Sequence, residues 1–211
     1  MSRHSIRLTQ IIKFIPPYRK IADIGCDHGY LVLDCFNNNL IDFAMLVDNK
    51  IYPLESAKNN LKDIDNNKYE LSLSNGIDNI TNNIDCVLIL GMGGINICNI
   101  LDNKDKLKDV KRLILQPNNN TYLVRKKLNE IGFKIVDEAI IHDYKYYEII
   151  ICEKGDEKYS ELELKYGPIN IKSKNKEFID YIKFRIDRLK KVEDVDKVIN
   201  EIKEMEELLW K

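Results

Sequence analysis

No two cysteines stand at the C-x-x-C spacing; the five present, at 26, 35, 86, 98 and 152, are scattered and odd in number. That pattern excludes a zinc ribbon or a disulfide framework and fits a reducing compartment, so a cytoplasmic protein without a bound metal is expected. Charge of either sign is not in excess. The 33 Lys+Arg against 34 Asp+Glu give a net −1, which excludes a globally basic nucleic-acid coat and an acidic disordered tail. No apolar run is long enough to cross a bilayer, because the longest uncharged one, Cys86 to Leu101, is interrupted by glycine and asparagine. Met1 to Arg7 carries charge with no apolar stretch behind it, so no secretory leader is expected. A G-x-G-x-x-G dinucleotide fingerprint is also missing, which makes a dehydrogenase a poor reading.

What is present suits a folded enzyme. Apolar residues make up 44% and charged residues 32% of 211 residues, a soluble globular composition. The abundance of Ile, Asn and Lys is read as a bias of the coding genome.

Up to residue 157 the chain alternates strand-like and helix-like segments. Lys20–Ile24, Phe43–Val47, Tyr69–Leu73, Cys86–Leu90 and Arg112–Gln116 read as strands, and Cys86–Leu90 is a continuous apolar run suited to burial on both faces. Helices are expected from Tyr30, over Pro53–Leu61 and over Thr121–Glu130, the last ended by Gly132. Lys134–Ile141 and Tyr146–Cys152 are close enough to pair antiparallel. The pattern predicts an α/β, Rossmann-like, mostly parallel sheet with an antiparallel edge. From 158 to 211 the periodicity turns helical, broken at Gly167-Pro168, and predicts a coiled-coil-like hairpin turning near Val192 to Asp194.

Charge is uneven in this second domain. Nine basic residues face three acidic ones between Lys165 and Lys191, and seven acidic face two basic between Glu193 and Glu207. Arg3, Arg7, Lys13, Arg19 and Lys20 make the amino terminus basic as well. These patches are either solvated helix faces or phosphate contacts to a nucleic acid, with Arg7, Lys183, Arg185 and Arg188 the candidates.

Five motifs carry the chemistry. Asp23-Ile-Gly25-Cys26-Asp27-His28-Gly29-Tyr30 is a strand end, a glycine turn and a helix start, where open α/β sheets bind ligands. Asp27 stands where a dinucleotide site has glycine beside pyrophosphate. A carboxylate there repels phosphate and suits the sulfonium and amino group of S-adenosylmethionine, though Asp27 and His28 would serve equally as helix caps. Asp48-Asn49 ends the second strand, where an acid accepts ribose hydroxyls. Asn75-Gly76 follows the third strand and suits an adenine edge, or is an ordinary turn. Gly91-Met92-Gly93-Gly94 stands where many adenine-N6 methyltransferases carry Asp/Asn-Pro-Pro-aromatic, and lets a planar group approach the backbone. Gln116-Pro-Asn118, with Arg125 in the next helix, suits a base edge or a capped turn.

In that order, Asp-Ile-Gly-x-Asp-His-x-Tyr-Leu, Gly-Met-Gly-Gly, Leu-Gln-Pro-Asn and the closing Tyr146-Tyr147-Glu148-Ile149 resemble the TrmK family of bacterial tRNA (adenine-22 N1)-methyltransferases. The resemblance covers nearly the whole chain. It implies a Rossmann-like methyltransferase domain, S-adenosylmethionine as donor and an adenine of the tRNA D-arm as acceptor. Asp27, His28 and Tyr30 are then the expected catalytic residues. Asp23, Gly25, Cys26, Asp27, His28, Asp48, Asn49, Asn75, Gly76, Gly91 and Met92 are expected to hold the cofactor. Arg7, Gly93, Gln116, Asn118, Arg125, Lys183, Arg185 and Arg188 are expected to meet tRNA. The oligomeric state is left open, with a monomer slightly favoured. Two rival functions stay open: a methyltransferase acting on another RNA, a protein or a small molecule, and a non-catalytic RNA-binding module.

Overall fold

The computed structural model describes residues 6–81, 83–191 and 196–210. The expected hairpin turn at Val192 to Asp194 and the basic Arg3 lie outside them.

Helix α1 (Ile6–Ile11) precedes five strands and four helices: β1 (Lys20–Ile24), α2 (Tyr30–Asn37), β2 (Phe43–Asp48), α3 (Ile51–Asn60), β3 (Tyr69–Leu73), β4 (Cys86–Met92), α4 (Gly94–Ile100), β5 (Arg112–Pro117) and α5 (Thr121–Glu130). Strands β6 (Phe133–Asp143) and β7 (Lys145–Lys154) close the sheet, and helices α6 (Glu161–Tyr166), α7 (Pro168–Ser173), α8 (Lys176–Leu189) and α9 (Asp196–Trp210) follow. The sheet runs β3-β2-β1-β4-β5-β7-β6. Strands β1 to β5 pair parallel, and β7 runs antiparallel to both of its neighbours.

Alternation along each strand builds two cores. Ala22, Ile24, Val87, Ile89, Leu113 and Leu115 face α4 and α5 through Ile97, Leu101, Val124 and Leu128. The intervening Ile21, Leu88, Ile114 and Leu46 face α1 to α3 through Ile11, Leu31, Val32 and Leu54. The order reverses between β1 and β4, and their carboxyl ends diverge into a crevice.

The carboxyl-terminal helices have a smaller core of their own, in which Phe178, Ile182 and Ile186 of α8 meet Met205 and Leu208 of α9 over Ile140 of β6. Caps start these helices: Ser160 and Glu163 form a reciprocal capping box on α6, and Asn175 Oδ1 accepts from Phe178 N at 2.9 Å on α8. Two ion pairs tie α8 to α9, Arg185 to Glu201 and Lys190 to Glu206, each sixteen residues apart. That equal spacing departs from an antiparallel coiled-coil ladder, in which partner separation shrinks toward the turn.

Buried charge fastens these helices to the sheet. Arg125, fully buried, donates from Nε to Glu138 and from Nη2 to Glu148, both at 2.8 Å, and from Nη1 to the carbonyls of Leu164 and Lys165. The other Glu138 oxygen accepts the backbone N–H groups of Ile169 and Asn170. Glu148 Oε1 accepts from Thr121 and from Tyr181 of α8, each at 3.1 Å. Glu138 packs against the backbone at Gly167, where a side chain would collide with its carboxylate. The Gly167-Pro168 break is therefore the joint of the molecule.

Candidate active site

The turn after β1 is held by backbone alone. Gly25 N and Cys26 N both donate to the Val47 carbonyl, at 2.8 and 3.1 Å, and Gly29 N donates to the Cys26 carbonyl at 2.8 Å. Gly25 has φ +74°, a backbone conformation that favours glycine, and a Cβ there would push only on the flexible end of the Met92 side chain. Asp27 is left-handed at φ 48°, and its side chain is 74% exposed toward the crevice.

Two adjoining cavities open along the crevice. One, of about 550 Å³, is lined by Asp48, Asn49, Asn75, Gly76, Asn96 and Asn99 among others. The second, of about 390 Å³, is lined by Asp23, Cys26, His28, Tyr30, Arg7, Gly91, Asn118, Lys145 and Tyr147 among others. Gly25, Asp27 and Met92 line both. The two cavities thus meet at the β1 turn.

The electrostatics of that junction are acidic. Asp23 is 5% exposed, and its carboxyl is pushed from 3.8 up to about 7, first by burial and then by the charges of Asp48 and Asp27. Burial, then Asp23 and Asp48, likewise hold the Cys26 thiol well above its ordinary value, so it is no nucleophile at neutral pH. His28 is braced by its neighbours, Nδ1 lying 2.7 Å from Ser56 Oγ and Nε2 lying 3.5 Å from Asp27 Oδ1. Asp48 Oδ1 accepts from Lys50 N at 3.0 Å.

A polar relay forms the opposite wall. Arg7 Nη1 donates to Gln116 Oε1 at 2.7 Å, and Gln116 Nε2 donates to Asn118 Oδ1 at 3.1 Å. Asn118 donates in turn to the Gly91 carbonyl, and the Arg7 guanidinium lies 4.9 Å over the Tyr147 ring.

Most of the residues singled out from the sequence converge here, but several expectations need correcting. Gln116 is fully buried with both ends of its amide engaged, so it positions Arg7 and Asn118 and does not reach a base. Arg125 is spent on the joint and is not offered to RNA. Arg185 is paired with Glu201 and packed against the Tyr166 and Tyr181 rings, and faces a separate cavity of about 940 Å³ between sheet and helices. Gly93 lines neither crevice cavity; it starts α4, where Gly94 N donates to the Asn119 carbonyl and side chain, each at 3.1 Å. The capping reading of Asp27 and His28 also falls, because the N-cap of α2 is Gly29 and no side chain caps the helix. Lys183 and Arg188 are exposed on α8.

Sequence reasoning passed over Asn96, Asn99 and Lys145, and read Tyr147 only as part of a closing strand and not as a site residue. Asn96 and Asn99 stand three apart on α4, directly after the glycine-rich loop, a spacing that puts both on one face. Lys145 and Tyr147 alternate on β7 and so share a side. Among the described residues no three metal-ligating side chains cluster, and no helix is long and apolar enough to cross a membrane.

A β3-β2-β1-β4-β5-β7-β6 sheet with an acidic glycine turn, instead of a phosphate-binding one, at its switch point defines a methyltransferase of the S-adenosylmethionine-dependent, Rossmann-like class. The donor set fits that cofactor: three carboxylates meet at the turn, and their charge suits a sulfonium and an ammonium. The chain belongs to the TrmK family, tRNA (adenine(22)-N(1))-methyltransferase, whose family description matches residues 21–209. It is 34% identical over 185 residues to the Bacillus subtilis tRNA (adenine(22)-N(1))-methyltransferase, covering 83% of this chain and 78% of that one. Streptococcus pneumoniae Sp1610, solved in complex with S-adenosyl-L-methionine, superposes with a TM-score of 0.90 at 30% identity, over 97% of this chain and 99% of that one. TrmK of M. capricolum, solved with S-adenosyl-homocysteine, superposes at 0.85 with 28% identity, over 99% and 98%. As a member of the family the chain is an S-adenosylmethionine-dependent tRNA (adenine-N1)-methyltransferase.

Proposed function

We propose that this chain methylates N1 of adenine 22 in the D-arm of tRNA at the junction of the two crevice cavities. The observation that carries this is the sharing of Gly25, Asp27 and Met92 by both, with Asp27 the ionisable one of the three. Asp48, Asn49, Asn75 and Gly76 would hold the nucleoside part of the cofactor, and Asp23, Gly25, Cys26 and His28 its amino-acid part. S-adenosylmethionine supplies an electrophilic methyl group when bound.

The protein's own work is mostly positioning. Adenine N1 keeps a free lone pair at neutral pH, so no side chain is needed to remove a proton before attack. Charge does develop: the base becomes cationic as N1 gains its fourth bond. The Asp27 carboxylate, held toward the crevice by its left-handed backbone, offsets that charge. His28 and Tyr30 shape the same wall, their rings 5.6 Å apart. Across the cavity the Arg7–Gln116–Asn118 relay fixes the Asn118 side chain, whose Nδ2 donates to the Gly91 carbonyl, while the Asn118 backbone N–H donates to the Met92 carbonyl at 2.7 Å. Lys183 and Arg188 lie outside the cavity and would meet phosphates. A tRNA substrate supports action in the bacterial cytoplasm.

The test is methyl transfer from labelled S-adenosylmethionine to unmodified tRNA, followed by nucleoside analysis. N1-methyladenosine at position 22 is the expected product; methylation of another atom, or none, overturns the reading. Asp27→Asn is expected to lower turnover at saturating cofactor about tenfold or more, and to weaken cofactor affinity as well, because Asp27 is one of the three carboxylates at the donor site. Unchanged turnover would remove Asp27 from the mechanism.

A further inference from the structure

Tyr144 is the most exposed aromatic side chain among the described residues, and it belongs to neither the cores nor the cavities. Tyr144 is the single residue between β6 and β7, where Asp143 and Lys145 pair across the turn. Its φ is 59° and its side chain is fully exposed, at 102%. A bulky residue in left-handed backbone is uncommon, since glycine or asparagine fills such a turn without strain. A ring that also buries nothing contributes no packing in return.

The base of this turn is firmly held. Asp143 Oδ2 accepts from Arg7 N at 3.2 Å. His142 packs on Tyr146 at 4.6 Å, and Tyr146 packs on Phe184 of α8 at 5.1 Å. Lys145 lies 5.0 Å over Tyr147, and both line the 390 Å³ cavity. The tip therefore stands at the mouth of the reaction cavity, with cationic side chains beside it and Arg188 over Phe184 at 5.8 Å beyond it. The surface is an aromatic ring projecting from a rigid, basic-flanked turn.

Such a surface matches the task set by a stacked target. A base reached only by leaving its stack exposes its former neighbours, at a cost of a few kcal/mol. An aromatic ring entering the gap restores the stacking. Within the methylation reading above, we propose that Tyr144 is a stacking wedge, which occupies the place of the extruded adenine in the tRNA and keeps that adenine in the cavity. Tyr144 touches no cofactor and acts on the RNA alone.

Two substrates separate this role from plain contact: folded unmodified tRNA, and a variant transcript in which adenine 22 lies unpaired and unstacked in an enlarged loop. Tyr144→Ala is expected to lose about tenfold or more in turnover on folded tRNA, the scale of one stacked base. It should stay within about twofold of the parent enzyme on the unpaired substrate, with unchanged cofactor binding, and Tyr144→Trp should restore turnover on folded tRNA. A loss equal or greater on the unpaired substrate, or no loss on either, overturns the wedge. A parent enzyme that methylates neither substrate overturns the methylation reading, and the wedge with it.

Discussion

Among the described residues acidic side chains are buried at two places, and their company differs. At the joint, Glu138 and Glu148 share one fully buried arginine, and the remaining carboxylate oxygens are taken by backbone amides and hydroxyls. At the crevice, Asp23 faces Asp48 and Asp27, and among the described residues no lysine or arginine pairs with Asp23 or Asp48. Burial raises the pKa of both Glu138 and Asp23, but only Glu138 has an arginine to pull it back. Satisfied charge specifies how two parts of a protein sit together; unsatisfied charge of one sign leaves a vacancy for a ligand of the other sign. The joint is architecture, and the crevice is complementary to a cation.

The largest expected effect breaks the joint. Arg125→Met strands the fully buried Glu138 side chain without its cation, which should cost about 3–5 kcal/mol of folding free energy, read from the denaturant midpoint. Adding Glu138→Gln should recover a good part, because the stranded charge and not the missing contact dominates the loss. A loss under about 1 kcal/mol would mean that the joint is wet and that the two clusters do not differ in kind.

The crevice responds in the opposite sense. The Asp23 carboxyl titrates near 7 when folded against 3.8 ordinarily, so the folded protein holds a proton that the unfolded chain has released. Its contribution to stability is present below pH 4 and is lost as pH rises through 7. Melting temperature of the cofactor-free protein should therefore carry a downward component across that window, which Asp23→Asn removes. Affinity for S-adenosylmethionine should move the other way, rising by up to about tenfold per pH unit below 7 as the carboxylate forms. Flat profiles for the parent protein in both measurements would show that Asp23 is already solvated and ionised.

Much of this contrast is legible in the sequence, but unevenly. The β1 turn could be read because its parts are contiguous: a strand, Gly25, Asp27 and a helix start within ten residues, at a position that parallel sheets reserve for ligands. The strands were readable for the same local reason, and β1 and β3 fall on the expected residues. Arg125 could not be read correctly. It stands seven residues from Asn118, so in the linear chain it looks like a site residue. Only the pairing of β6 with β7 and the return of α6 bring Glu138, Glu148 and two carbonyls around it. Gln116 misled similarly, because a strand-end amide looks alike whether it faces a ligand or, as here, lies buried between Arg7 and Asn118. Long-range partners decide what a polar side chain is for, and periodicity does not carry them.

The smallest expected effect separates the two kinds of charge on one helix. Lys183, Arg185 and Arg188 all belong to α8, yet Arg185 turns inward to Glu201 at 2.7 Å while Lys183 and Arg188 are exposed. A phosphate contact shows itself in salt dependence, since each one lost lowers the slope of log affinity against log salt by about one. Replacing Lys183 and Arg188 by glutamine should thus reduce the slope for tRNA binding by about two, with cofactor affinity untouched. Arg185→Gln should leave that slope alone and instead lower stability by roughly 1 kcal/mol, the worth of a partly screened pair. If Arg185→Gln lowered the slope as much as either exposed residue, its pairing with Glu201 would give way when tRNA binds, and α8 would meet RNA with its inner face as well as its outer one.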